Sequence, residues 1–190
     1  MNENEKNFLK DAAMGYDYCK KTQGYEGNSM EQMLSKYDLS YKKYLTEIKR
    51  IQNLCTYKEE GVTKTRFGNK GEFLEWYFEN WSGDNTTCAY CGVSEKDCRD
   101  LFIKKGCSRD GKRGMHLEIE RKIANGKYEE SNCALICYVC NNAKSDFMEW
   151  REFEPLARNI NEFWKNNLGK EIPFPEHNWI KWKESEKYKK

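Results

Sequence analysis

The sequence lacks long hydrophobic runs, an excess of charge of one sign, internal repeats and low-complexity segments. No apolar stretch approaches the roughly 20 residues of a membrane-spanning helix, so we expect no membrane partner. Lysine and arginine number 33 against 31 acidic residues, and the formal net charge is only +2. Overall charge therefore does not indicate nucleic-acid binding, and that interpretation must rest on local clusters of basic residues.

Apolar residues are also scarce, at 38%, whereas aromatic residues reach 14%. Six tryptophans and twelve tyrosines can still build a core, because each ring buries a large area. A chain of 190 residues has room for one domain, with or without a small appendage. Its first residues lack the charged and then apolar pattern of a signal peptide, which predicts a cytoplasmic protein. The nine cysteines are then mostly reduced, so paired cysteine spacings indicate a metal site and not disulfides.

The cysteines include two Cys-x-x-Cys pairs, Cys88 with Cys91 and Cys137 with Cys140. Four thiolates at these spacings can form a closed tetrahedral zinc site, which is structural because no ligand position stays open. About 45 residues separate the pairs, more than in a compact zinc ribbon. We therefore predict that a β-hairpin is inserted between them.

The region before the first cysteine pair, residues 1–81, is predicted to be helical. Apolar residues recur there at helical spacing over 41–54, and aromatic residues fill 72–81. A Ser-Gly-Asp-Asn turn cluster follows and marks a boundary. We expect the helical region to serve recognition or dimerisation, and residues 82–150 to form the zinc module.

The C-terminal segment, residues 151–190, is predicted to pack one helix on the zinc module. That helix is expected over 155–168, with Pro155 in its first turn and Gly169 at its C-terminal end. The charged tail after residue 180 is expected to be frayed.

The zinc module itself has the pattern strand, loop, strand, helix. Alternation over 116–123 predicts a strand whose polar face carries Glu118 and Glu120. Residues 132–137 predict the return strand, and 140–148 predict a helix. The predicted fold class is α+β: a helical N-terminal region, a zinc-stapled ββα module and a C-terminal helix.

A glycine-containing loop ahead of the first strand collects basic residues. Its members are Lys104, Lys105, Arg109, Lys112 and Arg113. The loop is either a solvated surface feature or a segment that contacts nucleic-acid phosphates beside the site, and both interpretations stay open.

From Cys88 to Met148 the sequence resembles the HNH endonucleases, the ββα-metal nucleases. Their pattern is a cysteine pair, a strand ending in Asp-His, a glycine-containing loop, an Asn on the second strand, and a second cysteine pair followed by Asn or His. Here the Asp-His position holds Glu120-Arg121, the middle position holds Asn132, and the last position holds Asn141.

The resemblance implies one catalytic divalent metal, Mg²⁺ or Mn²⁺, beside the structural zinc. It implies that Glu120 and Asn141 bind this metal, with Glu118 as a second carboxylate ligand or as half of an exposed ion pair. Asn132 would orient the loop or the base. Two basic side chains, Arg121 and Lys144, would contact the nucleic-acid phosphate.

The chain departs from the family at the general base, because Arg121 stands where the family has His. An arginine keeps its proton and cannot act as a base. His116 is the best substitute, since imidazole titrates near neutral pH, but it lies roughly 13 Å from Glu120 along an extended strand. Tyr128 is a third candidate.

Two other functions compete with this interpretation. His116-x-Glu118 followed by Cys137-x-x-Cys140 is similar to the zinc-deaminase signature, but it leaves Cys88 and its partner unexplained. A non-catalytic zinc module that binds nucleic acid or protein is the main alternative. The resemblance implies a metal-dependent endonuclease acting on double-stranded DNA, in restriction or phage defence, and a homodimer if the target is palindromic.

Overall fold

The computed structural model of the protein describes residues 2–15, 41–106 and 114–187. The chain divides into two compact units, Met1–Ser82 and Gly83–Lys190. Both units mix helices with a two-stranded antiparallel sheet, so the predicted α+β class is confirmed. None of the described helices combines the length and the apolar composition that crossing a membrane requires.

The described residues of the first unit include three α-helices: α1 (Glu3–Met14), α2 (Tyr41–Leu54) and α3 (Lys70–Asn80). Asn2 caps α1, because its side chain accepts a hydrogen bond from the Glu5 amide. Asn69 caps α3 in the same way, on the Gly71 amide. Their buried faces supply a core of apolar side chains: Phe8, Leu9, Ile48, Ile51, Phe73, Leu74 and Tyr77.

A β-hairpin also lies in this unit, where the sequence predicted only helix. Strands β1 (Thr56–Glu59) and β2 (Val62–Thr65) pair antiparallel. Both turn residues have positive φ, 51° at Glu60 and 80° at Gly61, as a tight two-residue hairpin turn requires. The prediction of a helical region did not include this hairpin, because the Glu-Gly turn between threonine-containing strands was missed.

In the second unit the first cysteine pair is followed by α4 (Glu95–Lys105), which Ser94 caps by accepting from the Asp97 amide. Strands β3 (Glu118–Arg121) and β4 (Cys133–Ile136) then pair antiparallel. In their register Glu118 faces Ile136 and Glu120 faces Ala134.

Helix α5 (Tyr138–Lys144) follows β4 directly, so the order is β, β, α, as predicted. It is shorter than predicted, because Ser145 turns the backbone to a φ of 49°. The amide of Ser145 still bonds the Asn141 carbonyl, which closes the last turn.

Helix α6 (Trp150–Leu168) starts earlier than the predicted residue 155. Pro155 therefore lies in the second turn, not the first, and its missing N–H costs one helical hydrogen bond. The predicted C-terminal end is correct, since Gly169 adopts the left-handed conformation with a φ of 63°.

Helix α7 (Glu176–Lys187) replaces most of the predicted frayed tail. Trp179 and Trp182 are buried, and both rings pack on Tyr90, at centroid distances of 5.4 and 5.5 Å. Burial of two indoles stabilises a segment that its charged residues alone would leave exposed.

Candidate functional site

The four paired cysteines come together in the second unit. The sulfur atoms of Cys88, Cys91, Cys137 and Cys140 all lie within 4.8 Å of one another, and the four residues are completely buried. The Cys91 and Cys137 sulfurs are 3.7 Å apart. Tetrahedral zinc–sulfur bonds of about 2.3 Å separate the sulfurs by about 3.8 Å, so this cluster could bind zinc.

Backbone geometry fixes each cysteine pair. Gly92 follows the first pair with a φ of +82°, and a Cβ there would lie 2.2 Å from the Pro173 carbonyl oxygen. Cys137 is the N-cap of α5, so the second pair opens that helix. The two pairs are joined by a hydrogen bond from the Ala89 amide to the Leu135 carbonyl, 2.9 Å long.

The thiols influence one another's ionisation. Burial raises the pKa of Cys91 and of Cys140 well above the ordinary value. Burial acts in the same direction on Cys137, but hydrogen bonds from the neighbouring thiols hold the pKa of Cys137 well below its ordinary value. Buried thiolates need a cation to offset their charge, and zinc binding to such sites releases the thiol protons.

Just beyond the cluster, Glu118 of β3 meets Asn141 of α5. The Asn141 amide nitrogen donates a hydrogen bond to a carboxylate oxygen of Glu118, and both residues are half-buried. We call these two residues the outer pair. A carboxylate and a carboxamide offer the hard oxygen ligands that Mg²⁺ and Mn²⁺ prefer.

Glu120, the third predicted metal ligand, meets a different partner. Its carboxylate accepts a 2.7 Å hydrogen bond from Lys144 Nζ, and the exposed fractions of the two side chains are 10% and 0%. We call these residues the inner pair. Burial raises the pKa of the Glu120 carboxyl, although the Lys144 ammonium group acts in the opposite direction.

Lys144 therefore does not lie where a phosphate contact was expected. The prediction had this ammonium group contact a nucleic-acid phosphate from the helix face that carries Asn141. The ammonium group instead points into the junction of β3 and α5, where a buried charge needs a charged partner.

Arg121 lies at the end of β3, with its guanidinium group 4.9 Å from the centroid of the Tyr128 ring. It donates hydrogen bonds to the Gly126 carbonyl at 3.3 Å and to Asp146 at 3.4 Å. Its side chain is 21% exposed.

Asn132 is buried and holds the loop that connects the two strands. Its Oδ1 accepts from the Ile123 amide at 2.8 Å, and its Nδ2 donates to the carbonyls of Ile123 and Lys127 at 3.1 and 3.0 Å. Three backbone bonds from one side chain fix this loop, and a role of Asn132 in orienting the loop or the base for catalysis stays a prediction.

His116 lies in a bend before β3 and contacts a residue that sequence reasoning missed. Its Nδ1 is 3.2 Å from Oε1 of Glu95, the first residue of α4. Glu95 is 2% exposed and also accepts from the Leu117 amide at 2.9 Å. The only hint in the sequence was the Ser94 cap, which places Glu95 at a helix N-terminus that favours negative charge.

The basic loop is described only in part. Lys104 and Lys105 are exposed on the last turn of α4, where a phosphate could reach them. Arg109, Lys112 and Arg113 lie outside the described residues. Nucleic-acid contact by this loop stays a prediction.

Comparison with known proteins adds one structural relative. No family model matches the chain, and no curated protein matches it. Among solved structures, the chain is similar to the rare-cutting HNH restriction endonuclease PacI, a protein that perturbs DNA. The sequence identity is 23%, the match covers 75% of this chain and 86% of that chain, and the TM-score is 0.46.

Proposed function

We propose that this protein is a divalent-metal-dependent HNH-type endonuclease that hydrolyses phosphodiester bonds in DNA. The observation that carries the proposal is the contact between Glu118 and Asn141. The four-cysteine cluster holds the hairpin against the start of α5, and this joins a strand carboxylate to a helix carboxamide. A purely structural zinc module has no need for that pair of metal-binding groups at its rim.

Zinc is proposed for the four-cysteine cluster. Four buried thiolates form a closed site, which suits a structural ion. Because Cys137 begins α5, zinc would hold Asn141 in place through the first turn of that helix.

Mg²⁺ or Mn²⁺ is proposed for the carboxylate site, where Glu118, Glu120 and Asn141 are the candidate ligands. When bound, such an ion stabilises the charge on the scissile phosphate and on the leaving oxygen. Arg121 would contact a non-bridging phosphate oxygen through its guanidinium group.

The base proposed for this site is His116. Its Nδ1 is engaged by the buried Glu95 carboxylate, so Nε2 is the nitrogen available to a water molecule. As the water oxygen bonds to phosphorus and the bond from phosphorus to the leaving oxygen breaks, Nε2 would take the water proton. The leaving oxygen then takes a proton from solvent.

The biological setting and partners are proposed by analogy with the HNH family. Double-stranded DNA is the expected substrate, and restriction or phage defence in the cytoplasm is the expected setting. Residues 1–81 would then supply sequence recognition or a homodimer interface, which a palindromic target would require.

A second candidate function is a zinc module that binds nucleic acid or protein without cutting it. One observation favours it: Lys144 already neutralises the Glu120 carboxylate. With Arg121 in the place of the family's base, such a protein would have lost its reaction centre.

Plasmid cleavage separates the two candidates. Purified protein is incubated with plasmid DNA in Mg²⁺, in Mn²⁺ or in EDTA, and Asn141→Ala is run beside the exposed neighbour Asn142→Ala as a control. Endonuclease activity predicts fragments that need the metal, disappear in Asn141→Ala and persist in Asn142→Ala. No cutting in either metal by a folded, zinc-loaded protein would support the binding module.

A further inference from the structure

We infer that the two carboxylates of β3 have different jobs: Glu118, with Asn141, holds the catalytic cation, whereas Glu120 is a structural partner of Lys144. The inference rests on the proposed function and deepens it. It moves the metal site away from Glu120, the residue at the position of the family's metal-binding aspartate.

The first argument is that a cation already occupies the place beside Glu120. An ammonium group has three N–H donors. In Lys144 all three have acceptors: Glu120 Oε1 at 2.7 Å, the Arg121 carbonyl at 3.1 Å and the Ser145 carbonyl at 3.4 Å. A divalent ion at this carboxylate would face the fixed positive charge of Lys144 at short range, and the two would repel each other.

The second argument is access. The inner pair is closed to solvent, because Lys144 is fully buried and Glu120 nearly so. A hydrated Mg²⁺ ion gives up its water reluctantly and usually keeps several water ligands, so it needs an open site. Glu118 and Asn141 are half-buried, so solvent has more access to them than to the inner pair.

The third argument is the chemistry of the outer pair. The Asn141 side chain now donates its N–H to the Glu118 carboxylate. Rotation of the amide group by about half a turn would bring Oδ1 to the same position, where it and the carboxylate could share a cation. No backbone movement is needed for that change.

The shift also brings the metal closer to His116. Two residues of extended chain span at most about 7 Å, so the Cα atoms of His116 and Glu118 lie within that distance. Glu120 is twice as far along the chain. A centre at Glu118 is thus nearer to His116 along the chain than a centre at Glu120 would be.

The test measures Mn²⁺ binding directly, without DNA, by the loss of the free-ion electron paramagnetic resonance signal. Zinc-loaded, full-length wild type is compared with Glu118→Gln and Glu120→Gln, and the exposed Glu130→Gln is the control. Because Glu120→Gln leaves Lys144 without a charged partner and can unfold, the double variant Glu120→Leu with Lys144→Met is measured as well. Plasmid cleavage is assayed on the same preparations.

The inference predicts that Glu118→Gln raises the Mn²⁺ dissociation constant by about tenfold or more and abolishes cleavage. It predicts that the double variant and Glu130→Gln bind Mn²⁺ as wild type does, to within about threefold. Mn²⁺ binding lost in the folded double variant but kept in Glu118→Gln would overturn the inference and leave the proposed function standing. A wild type that neither binds Mn²⁺ nor cuts would overturn both.

Discussion

Glu118 and Glu120 lie two residues apart on one strand, yet their surroundings differ. Glu118 is half-buried and bonds a neutral carboxamide, whereas Glu120 is buried and bonds an ammonium group. Both carboxylates belong to the same short strand, so the difference comes from α5, which presents Asn141 to one and Lys144 to the other. The helix residue that each strand carboxylate meets therefore sets the charge of its surroundings.

The largest expected effect is the loss of both the inner and the outer pair when the cysteine cluster is disrupted. Cys137→Ser should unfold the second unit, because a structural zinc supplies about 10–16 kcal/mol of folding free energy, as much as a whole domain's stability. Zinc content and amide NMR spectra measure the loss. The control is Cys133→Ser, which alters a buried cysteine of β4 outside the cluster and should retain zinc. A Cys137→Ser protein with full zinc and an unchanged spectrum would contradict this account of the cluster.

Breaking the inner pair should lower the free energy of unfolding by less than the loss of zinc does, but still by a large part of it. Lys144→Met leaves the Glu120 carboxylate buried without its partner, and we expect a loss of about 3–5 kcal/mol in the free energy of unfolding. Adding Glu120→Leu should restore most of it, because no buried charge then remains. Urea unfolding measures both, with the exposed Lys127→Met as control. If the double variant were no more stable than Lys144→Met, the loss would not come from the stranded carboxylate.

Breaking the outer pair should change stability little and activity strongly, the reverse of what we expect for the inner pair. Glu118→Gln keeps a side chain that can still bond Asn141, so the free energy of unfolding should change by less than about 1 kcal/mol. Plasmid cleavage should fall by about 100-fold. The comparison fails if this variant loses stability as Lys144→Met does, or if it cuts normally.

The smallest effect is the pH dependence of the inner pair. Burial raises the pKa of the folded-state Glu120 carboxyl, so the folded protein binds this proton more readily than the unfolded chain does. Its stabilising contribution is complete below the ordinary carboxyl pKa of about 4.5 and is lost as pH rises through the folded-state pKa. Urea unfolding from pH 4.5 to 7 should therefore show wild type losing stability relative to Glu120→Gln. The opposite slope would mean that Lys144 outweighs burial.

Local patterns predicted much of this architecture. Cysteine spacing fixes which four thiols can meet, and alternation around Glu118 predicts a strand, because both depend on residues close in sequence. The same holds for Gly169, whose backbone freedom marks the end of α6.

The features that the sequence did not predict depend on contacts between residues far apart in the chain. Burial of Lys144 depends on Glu120, 24 residues away, and no periodicity encodes that distance. Trp179 of the helical tail packs on the ring of Tyr90 and donates to its carbonyl oxygen, a contact between residues 89 positions apart. Glu95 reaches His116 across 21 residues, and its role is visible only once α4 and β3 are packed together.

The central claim is tested most directly by the position of Mn²⁺ in a crystal soaked with the ion and measured at the manganese absorption edge. The account predicts an anomalous peak between the Glu118 carboxylate and the Asn141 carboxamide, with Lys144 still bonded to Glu120. A peak on Glu120, with the Lys144 ammonium group displaced, would contradict it.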